Sequence, residues 1–150
     1  MVGLVEKFDC IHFLLAKAHQ QVKQISKAKL SPYKITPVQF ALLFFLWKKD
    51  GLSGSELGER LQMDSATVTG IIDRLEQGGF IERRSDPNDR RNRLIFLTEK
   101  GVSLEKPLCQ KMDEMNEEVL SGLCEEEIEK LKNLLFDIGL KKGTKGGIFE

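Results

Sequence analysis

A chain of 150 residues that is 41% hydrophobic and 31% charged suits one ordinary globular domain or two small ones. Its longest apolar run, Phe40 to Trp47, falls far short of the roughly 20 residues of a membrane helix, and no basic segment precedes an apolar N-terminal stretch, so a cytoplasmic location is expected. Twenty-three basic and 23 acidic residues cancel, but they are not evenly mixed, and Cys10, Cys109 and Cys124 are too far apart for a Cys-x-x-Cys site and odd in number for a disulfide framework.

The first element is a long amphipathic helix from about Glu6 to Lys29, in which Ile11, Leu14, Leu15, Ala18, Val22 and Ile25 recur at steps of three and four. Pro32 breaks it by pushing Ser31 out of the helical region. A second helix restarts with Thr36 as N-cap, Pro37 at the first helical position and Gln39 completing a capping box. Its run from Phe40 to Trp47 is apolar all round, which predicts burial on several sides. Ser53 and Glu56 form a second capping box for a short third helix carrying Leu57 and Leu61 inward and ending near Gln62. Asp64 caps a fourth, whose Val68, Ile71, Ile72 and Leu75 follow a helical stripe until Gly78 and Gly79 stop it. Two short helices joined by a tight turn make a helix-turn-helix.

Residues 80–84 and 93–98 read as two strands of a β-hairpin, separated by a loop longer than a two-residue turn. A long helix is expected from about Glu99 to Leu123, with Leu104, Leu108, Met112, Met115, Val119 and Leu123 on one side. After a break near Cys124 a last helix carries Ile128, Leu131, Leu134, Leu135 and Ile138. The fold class is therefore mainly α with a small β-hairpin wing. Residues 142–150, rich in Gly and Lys, are expected to form a flexible tail.

Charge points to phosphate. Lysines prevail from Lys17 to Lys34, arginines cluster from Arg83 to Arg93, and the acids between Asp113 and Glu129 have no basic residue among them, so a positive face remains. On the fourth helix, opposite Val68, lie Ala66, Thr67, Gly70, Asp73 and Arg74, a polar and small face. A mid-helix glycine costs about 1 kcal/mol relative to alanine, which makes sense if the backbone comes close to a broad partner such as the DNA major groove. Ser65, Thr67 and Thr69 near that helix N-terminus, with Ser53 and Ser55 at the start of the third, add hydroxyls and free N–H groups suited to phosphate. In the hairpin, Arg90, Arg91 and Arg93 follow an Asp-Pro-Asn turn, with Asp89 placed to steer a neighbouring guanidinium. Such a tip can insert one arginine into a narrow minor groove while the others neutralise phosphates.

The stretch LSGSELGERLQMDSATVTGIIDRLEQGGFIERRSDPNDRRNRLIFLTEKG, residues 52–101, resembles the MarR family of winged-helix transcriptional regulators. The resemblance implies a six-helix homodimer whose N- and C-terminal helices interlock and whose two winged lobes sit on a palindromic double-stranded DNA operator. By that resemblance residues 1–35 are a dimerisation helix, 36–100 the DNA-binding lobe and 101–141 further dimerisation helices. Asp64 to Arg74 then form the recognition helix, and Arg91 takes the place of the minor-groove wing arginine. The chain departs from many members at Gly70, where they carry a larger or basic residue. The dimer is also expected from the sequence itself, since long amphipathic helices at both ends offer more apolar stripe than a small lobe can cover.

The signal sensed is less legible. The family implies a repressor released by a small, often aromatic or phenolic ligand, and Phe8, His12, Phe13, Phe40, Phe44 and Trp47 are candidates to line its pocket, although rows of aromatics also serve as plain core. The alternative is a thiol-based peroxide sensor acting through Cys10, as in the organic-hydroperoxide-sensing branch. That branch's tyrosines have no equivalents here, since Tyr33 is the sole tyrosine, and a packed, inert Cys10 competes with it. His12 and His19 are about 10 Å apart along a helix, too far to share one metal ion, and no cofactor is expected. No phosphate loop, His-Glu-x-x-His or Gly-x-Ser-x-Gly motif points to an enzyme. A winged helix used for protein–protein docking is the remaining rival.

Overall fold

Thr36 begins the central helix as its sequence predicts. The Gln39 N–H donates to Thr36 Oγ1 at 3.3 Å, and the Thr36 N–H donates to Gln39 Oε1 at 3.0 Å, so two otherwise orphaned donors are satisfied reciprocally. The computed structural model describes residues 9–140. Its elements are α1 (Ile11–Leu30), a 3-10 turn (Ser31–Tyr33), α2 (Pro37–Lys48), β1 (Leu52–Ser53), α3 (Gly54–Leu61), α4 (Ser65–Gln77), β2 (Ile81–Asp86), β3 (Asp89–Leu97), α5 (Glu99–Ser103), α6 (Glu105–Leu120) and α7 (Glu125–Gly139). None of the described helices is long and apolar enough to cross a membrane. The expected tail and the first turn of the expected N-terminal helix lie outside the described residues.

Helix α2 is the hub. Leu42, Leu43, Phe45 and Leu46 are buried on different sides of it, because α1, α3, α4, α6 and β3 all pack around it. The winged lobe closes on Leu52, Leu57, Val68, Ile72, Leu75, Ile81 and Ile95. Its turn between α3 and α4 depends on Gly58, where an added Cβ would lie 3.3 Å from the Met63 carbonyl oxygen and 3.5 Å from Val68 Cγ2. The sheet has the order β1-β3-β2, all antiparallel. The two-residue strand β1, too short to show any alternation, pairs Leu52 with Ile95 and Ser53 with Leu94.

Two elements differ from expectation. The wing strands run further toward the tip, with Asp86 facing Asp89 across the two-residue turn Pro87-Asn88, so no longer loop is needed. The extra length is absorbed instead by a register shift: Ser85 pairs with Arg93, and Arg90, Arg91 and Asn92 bulge out of the ladder. Second, the long helix over residues 99–123 is divided at Leu104, giving seven α-helices instead of six among the described residues. Pro107 explains the break, because it has no N–H to donate to the Ser103 carbonyl, and the chain tightens there through a Leu104 N–H to Gly101 O bond of 3.4 Å.

Between the wing and α6 the chain passes a crowded joint. Gly101 is buried, and a Cβ added to it would stand 2.1 Å from the Phe80 carbonyl oxygen. Trp47 Nε1 donates to the Gly101 carbonyl at 2.9 Å, and Thr98 caps α5 by accepting from the Gly101 N–H at 3.2 Å. The terminal helices contrast with this. Leu134, Leu135 and Ile138 of α7 are 49%, 43% and 66% exposed, and Ile11, Leu14, Val119 and Leu123 are exposed with them.

Candidate nucleic-acid interface

Helix α4 is held by its first residue. Asp64 accepts from the Thr67 N–H at 2.8 Å and from the Thr67 hydroxyl at 3.0 Å, and these bonds, the backbone one foremost, hold its carboxyl below the usual carboxylate range. Val68, Ile71, Ile72 and Leu75 are buried, which leaves Ser65, Ala66, Thr67, Thr69 and Arg74 on the open side. At Gly70 an added Cβ would meet nothing within 4 Å. Its missing side chain therefore relieves no contact within the chain, and the face above it is free.

The wing tip is built by two aspartates acting on backbone. Asp86 accepts from the Asn88 N–H at 2.9 Å and Asp89 from the Arg91 N–H at 3.0 Å, two side-chain turns that fix the path of the bulge. Asp89 thus steers Arg91 through its main chain, and the expected pairing with a guanidinium is not the contact it makes. Arg90, Arg91 and Arg93 are all exposed. Among the described residues no ion pair or hydrogen bond engages their guanidinium groups.

The other two arginines of the cluster are paired with carboxylates of the lobe. Arg83 bridges α4 and β2: its Nη1 donates to Glu76 at 2.6 Å, its Nη2 pairs with Asp73, and its backbone N–H donates to Glu76 at 3.2 Å. Burial works against the charge of Arg83, but the hydrogen bonds and negative charge of Asp73 and Glu76 outweigh it and hold the guanidinium still more firmly protonated. Arg84 pairs with Glu82 and lies over the Phe96 ring at 4.3 Å. Sequence reasoning missed this Arg83 clamp and placed Asp73 on the exposed reading face. The only signal was two acids at i and i+3 on α4, and no helical or strand spacing links them to a residue on the following strand.

Between α3, α4 and β3 lies an open groove of about 1280 Å³, with Ser55, Ser65, Thr69, Arg91, Asn92 and Arg93 on its walls and Val68, Ile72 and Ile95 in its floor. Ser53 is a correction to the expected set. It is 3% exposed, and its hydroxyl accepts from the Glu56 N–H at 3.1 Å, so it caps α3 and presents no hydroxyl to a phosphate. Ser55, the second residue of the helix, is exposed.

The candidate ligand and redox residues are more scattered. Phe40 stacks toward Phe44 and Trp47 with ring centroids 6.4 and 5.8 Å apart, packed against the core, while His12 and Phe13 sit on the open first turn of α1. Phe8 lies outside the described residues. Cys10 is exposed at the N-cap of α1, which removes the packed-thiol reading within this chain. Cys109 is half-buried, and burial, with Glu105 and Asp113 nearby, pushes its thiol pKa up and away from reactivity.

Comparison with known proteins places this geometry among transcriptional regulators. The model described as "MarR family" matches residues 35–92. The organic hydroperoxide resistance transcriptional regulator of Bacillus subtilis (strain 168) is 34% identical over 122 residues, which are 81% of this chain and 80% of that one. A mutant of MarR from E. coli complexed with operator DNA superposes with a TM-score of 0.80 at 27% identity, covering 91% of this chain and 99% of that chain. BpsR of Bordetella bronchiseptica, whose DNA binding is regulated by 6-hydroxynicotinic acid, superposes with a TM-score of 0.83 at 26% identity, covering 89% of this chain and 95% of that one.

Proposed function

The chain belongs to the MarR family of DNA-binding transcriptional regulators and is not an enzyme; from that premise we propose that it is a cytoplasmic repressor that grips a palindromic operator as a homodimer and is released by a small aromatic or phenolic effector. One observation carries the reading: on and beside the bulged tip stand Arg90, Arg91 and Arg93, exposed and without an ion-pair partner among the described residues, next to the small polar face of α4. Thr67, Thr69, Gly70, Ala66 and Arg74 meet base edges in the major groove, and Ser55 and Ser65 meet phosphate. Arg91 enters the adjacent minor groove, where negative potential is focused, and Arg90 and Arg93 neutralise the flanking backbone. The domain division follows, with residues 36–100 as the DNA-binding lobe and 1–35 and 101–141 as the dimerisation layer.

Exposed apolar side chains on α1, α6 and α7 support the homodimer, since leaving each large side chain in water forgoes about 1.5–3 kcal/mol that a two-fold partner recovers. The small-molecule effector is supported by the likeness to BpsR, and the aromatic ladder of α2 offers Phe44 and Trp47 as its wall. Exposed Cys10 supports a second reading, oxidative release, and a Bacillus subtilis relative named for organic hydroperoxide resistance adds to it.

Footprinting on the DNA upstream of its own gene tests the whole. A protected two-fold site is expected, and phenolic acids, then organic hydroperoxides, are titrated in turn to find which releases it. Protection abolished by hydroperoxide in the native chain and retained in Cys10→Ser selects the thiol reading. Absence of any protected site in dilute buffer defeats the operator reading.

A further inference from the structure

The exposed face of α4 has few ways to recognise a base. Between Asp64 and Arg74 the sequence holds no Asn, Gln, Lys or Arg, the side chains that identify adenine or guanine through hydrogen bonds to the base edge. Asp73, the only charged residue in that stretch, is paired with Arg83 of β2 and so is already engaged. At the centre of the face stand Ala66, Thr67 and Gly70, which share one side of the helix at spacings of three and four. Thr67 is the informative residue. Its hydroxyl donates to Asp64 Oδ2 at 3.0 Å, and its backbone N–H donates to Asp64 Oδ1 at 2.8 Å. A carboxyl held below its usual range stays ionised at neutral pH and can only accept, so the hydroxyl proton is committed within the chain. The other group on the Thr67 Cβ is a methyl, and the residue is exposed. Ala66, exposed beside it, offers a second methyl. At Gly70 an added Cβ would meet nothing within 4 Å, and the helix there carries no side chain to hold a base edge away. In the major groove thymine alone presents a methyl group. We propose that Thr67, assisted by Ala66, is a specificity-determining residue that recognises thymine through its ring methyl, with Gly70 permitting the close approach.

The inference rests on the DNA-binding reading above and names the base feature that α4 reads. Chemistry separates it from reading by the hydroxyl. To donate to a base, the Thr67 hydroxyl would have to leave Asp64 and give up a bond at the helix cap. Methyl against methyl asks for no such exchange, because both groups simply leave water. Burying one methyl group in such a contact strengthens binding about fourfold. An apolar contact releases no counterion, so this contribution does not change with salt, in contrast to a phosphate contact.

The test replaces thymines of the footprinted operator by deoxyuridine, one symmetry-related pair at a time, which removes the ring methyl and leaves base pairing intact. For the native chain one such pair is expected to weaken binding about fifteenfold, roughly fourfold in each half-site. T67S keeps the hydroxyl for Asp64 and lacks the methyl. It should bind the unmodified operator with a similar loss, keep the native slope of log affinity against log salt, and lose nothing further on the duplex carrying that deoxyuridine pair. T67V keeps the methyl and lacks the hydroxyl, and should still prefer thymine to deoxyuridine. No effect of deoxyuridine at any position, an effect undiminished in T67S, a shallower salt slope in T67S, or a thymine preference that vanishes in T67V overturns the inference and leaves the operator reading standing. Failure of the native chain to bind any duplex at ~50 mM salt overturns both.

Discussion

The winged lobe and the terminal helices solve the burial problem in opposite ways. The lobe, short as it is, closes its own core: Leu52, Leu57 and Leu75 are fully buried, and its polar ends are capped by Thr36, Ser53 and Asp64. Helix α7 has a regular apolar stripe and no buried residue at all. An identical periodic pattern thus describes a finished core in one region and an unfinished one in the other. A stripe tells which face seeks burial, and the neighbours available within the chain decide whether it finds it.

The largest break in this contrast comes from charging the unfinished face. Leu134→Glu with Leu135→Glu should convert the proposed homodimer to monomer and abolish specific operator binding at ordinary protein concentrations, because two half-sites are then no longer bound together. Sedimentation and anisotropy titration read the two effects. Far-UV circular dichroism should stay native-like up to the winged lobe's own thermal transition.

The joint between the regions comes next. Gly101→Ala forces a methyl to 2.1 Å from the Phe80 carbonyl and must displace β2, the Trp47 bond or both. A destabilisation of about 1–3 kcal/mol is expected from such overpacking, measured by urea denaturation. Changed Trp47 fluorescence would locate the strain at this joint, and an unchanged midpoint would show the two regions to be more loosely connected than described.

Arg91→Ala sharpens the comparison from the lobe side. It removes an exposed guanidinium that does no structural work, so folding stability should hold while operator affinity falls by about 1–3 kcal/mol and the salt slope drops by about one. Loss of stability in place of affinity would return the wing to a scaffolding role.

The smallest effect concerns Asp64. Its folded-state pKa lies below the unfolded value near 3.8, so its contribution to stability is fully present above that value and is lost as pH falls through the folded pKa. Helix α4 should therefore loosen in strong acid, below about pH 4. Asp64→Asn keeps an N-cap acceptor without a titrating group, and this part of the pH dependence should vanish in urea midpoints taken at pH 7 and pH 3.

Much of the lobe was legible in the residues. Thr36 and Asp64 announced their helices, and Val68, Ile71, Ile72 and Leu75 announced the inward face of α4, because capping and helical stripes join residues three or four apart. The wing arginines were legible as a charge cluster, yet which of them remain available was not. Arg83 and Arg84 look the same in sequence as Arg90 and Arg91, and only the approach of α4 to β2 engages Arg83, while Arg84 is taken by Glu82 and the Phe96 ring. Strand β1 escaped notice because two residues have no period, the wing turn because a bulge on one strand mimics a longer loop, and the break at Leu104 because Pro107 acts on a carbonyl four residues earlier.

By itself the sequence determined the local grammar: where helices start and stop, which faces are apolar, and that positive and negative charge are kept apart along the chain. Tertiary structure decided which charges cancel, which hydroxyls are spent as caps, and that Ser53 is buried while Ser55 is open. The reason is range. Caps and stripes act between near neighbours in the chain, whereas charge pairing and burial depend on distances between residues that only folding brings together.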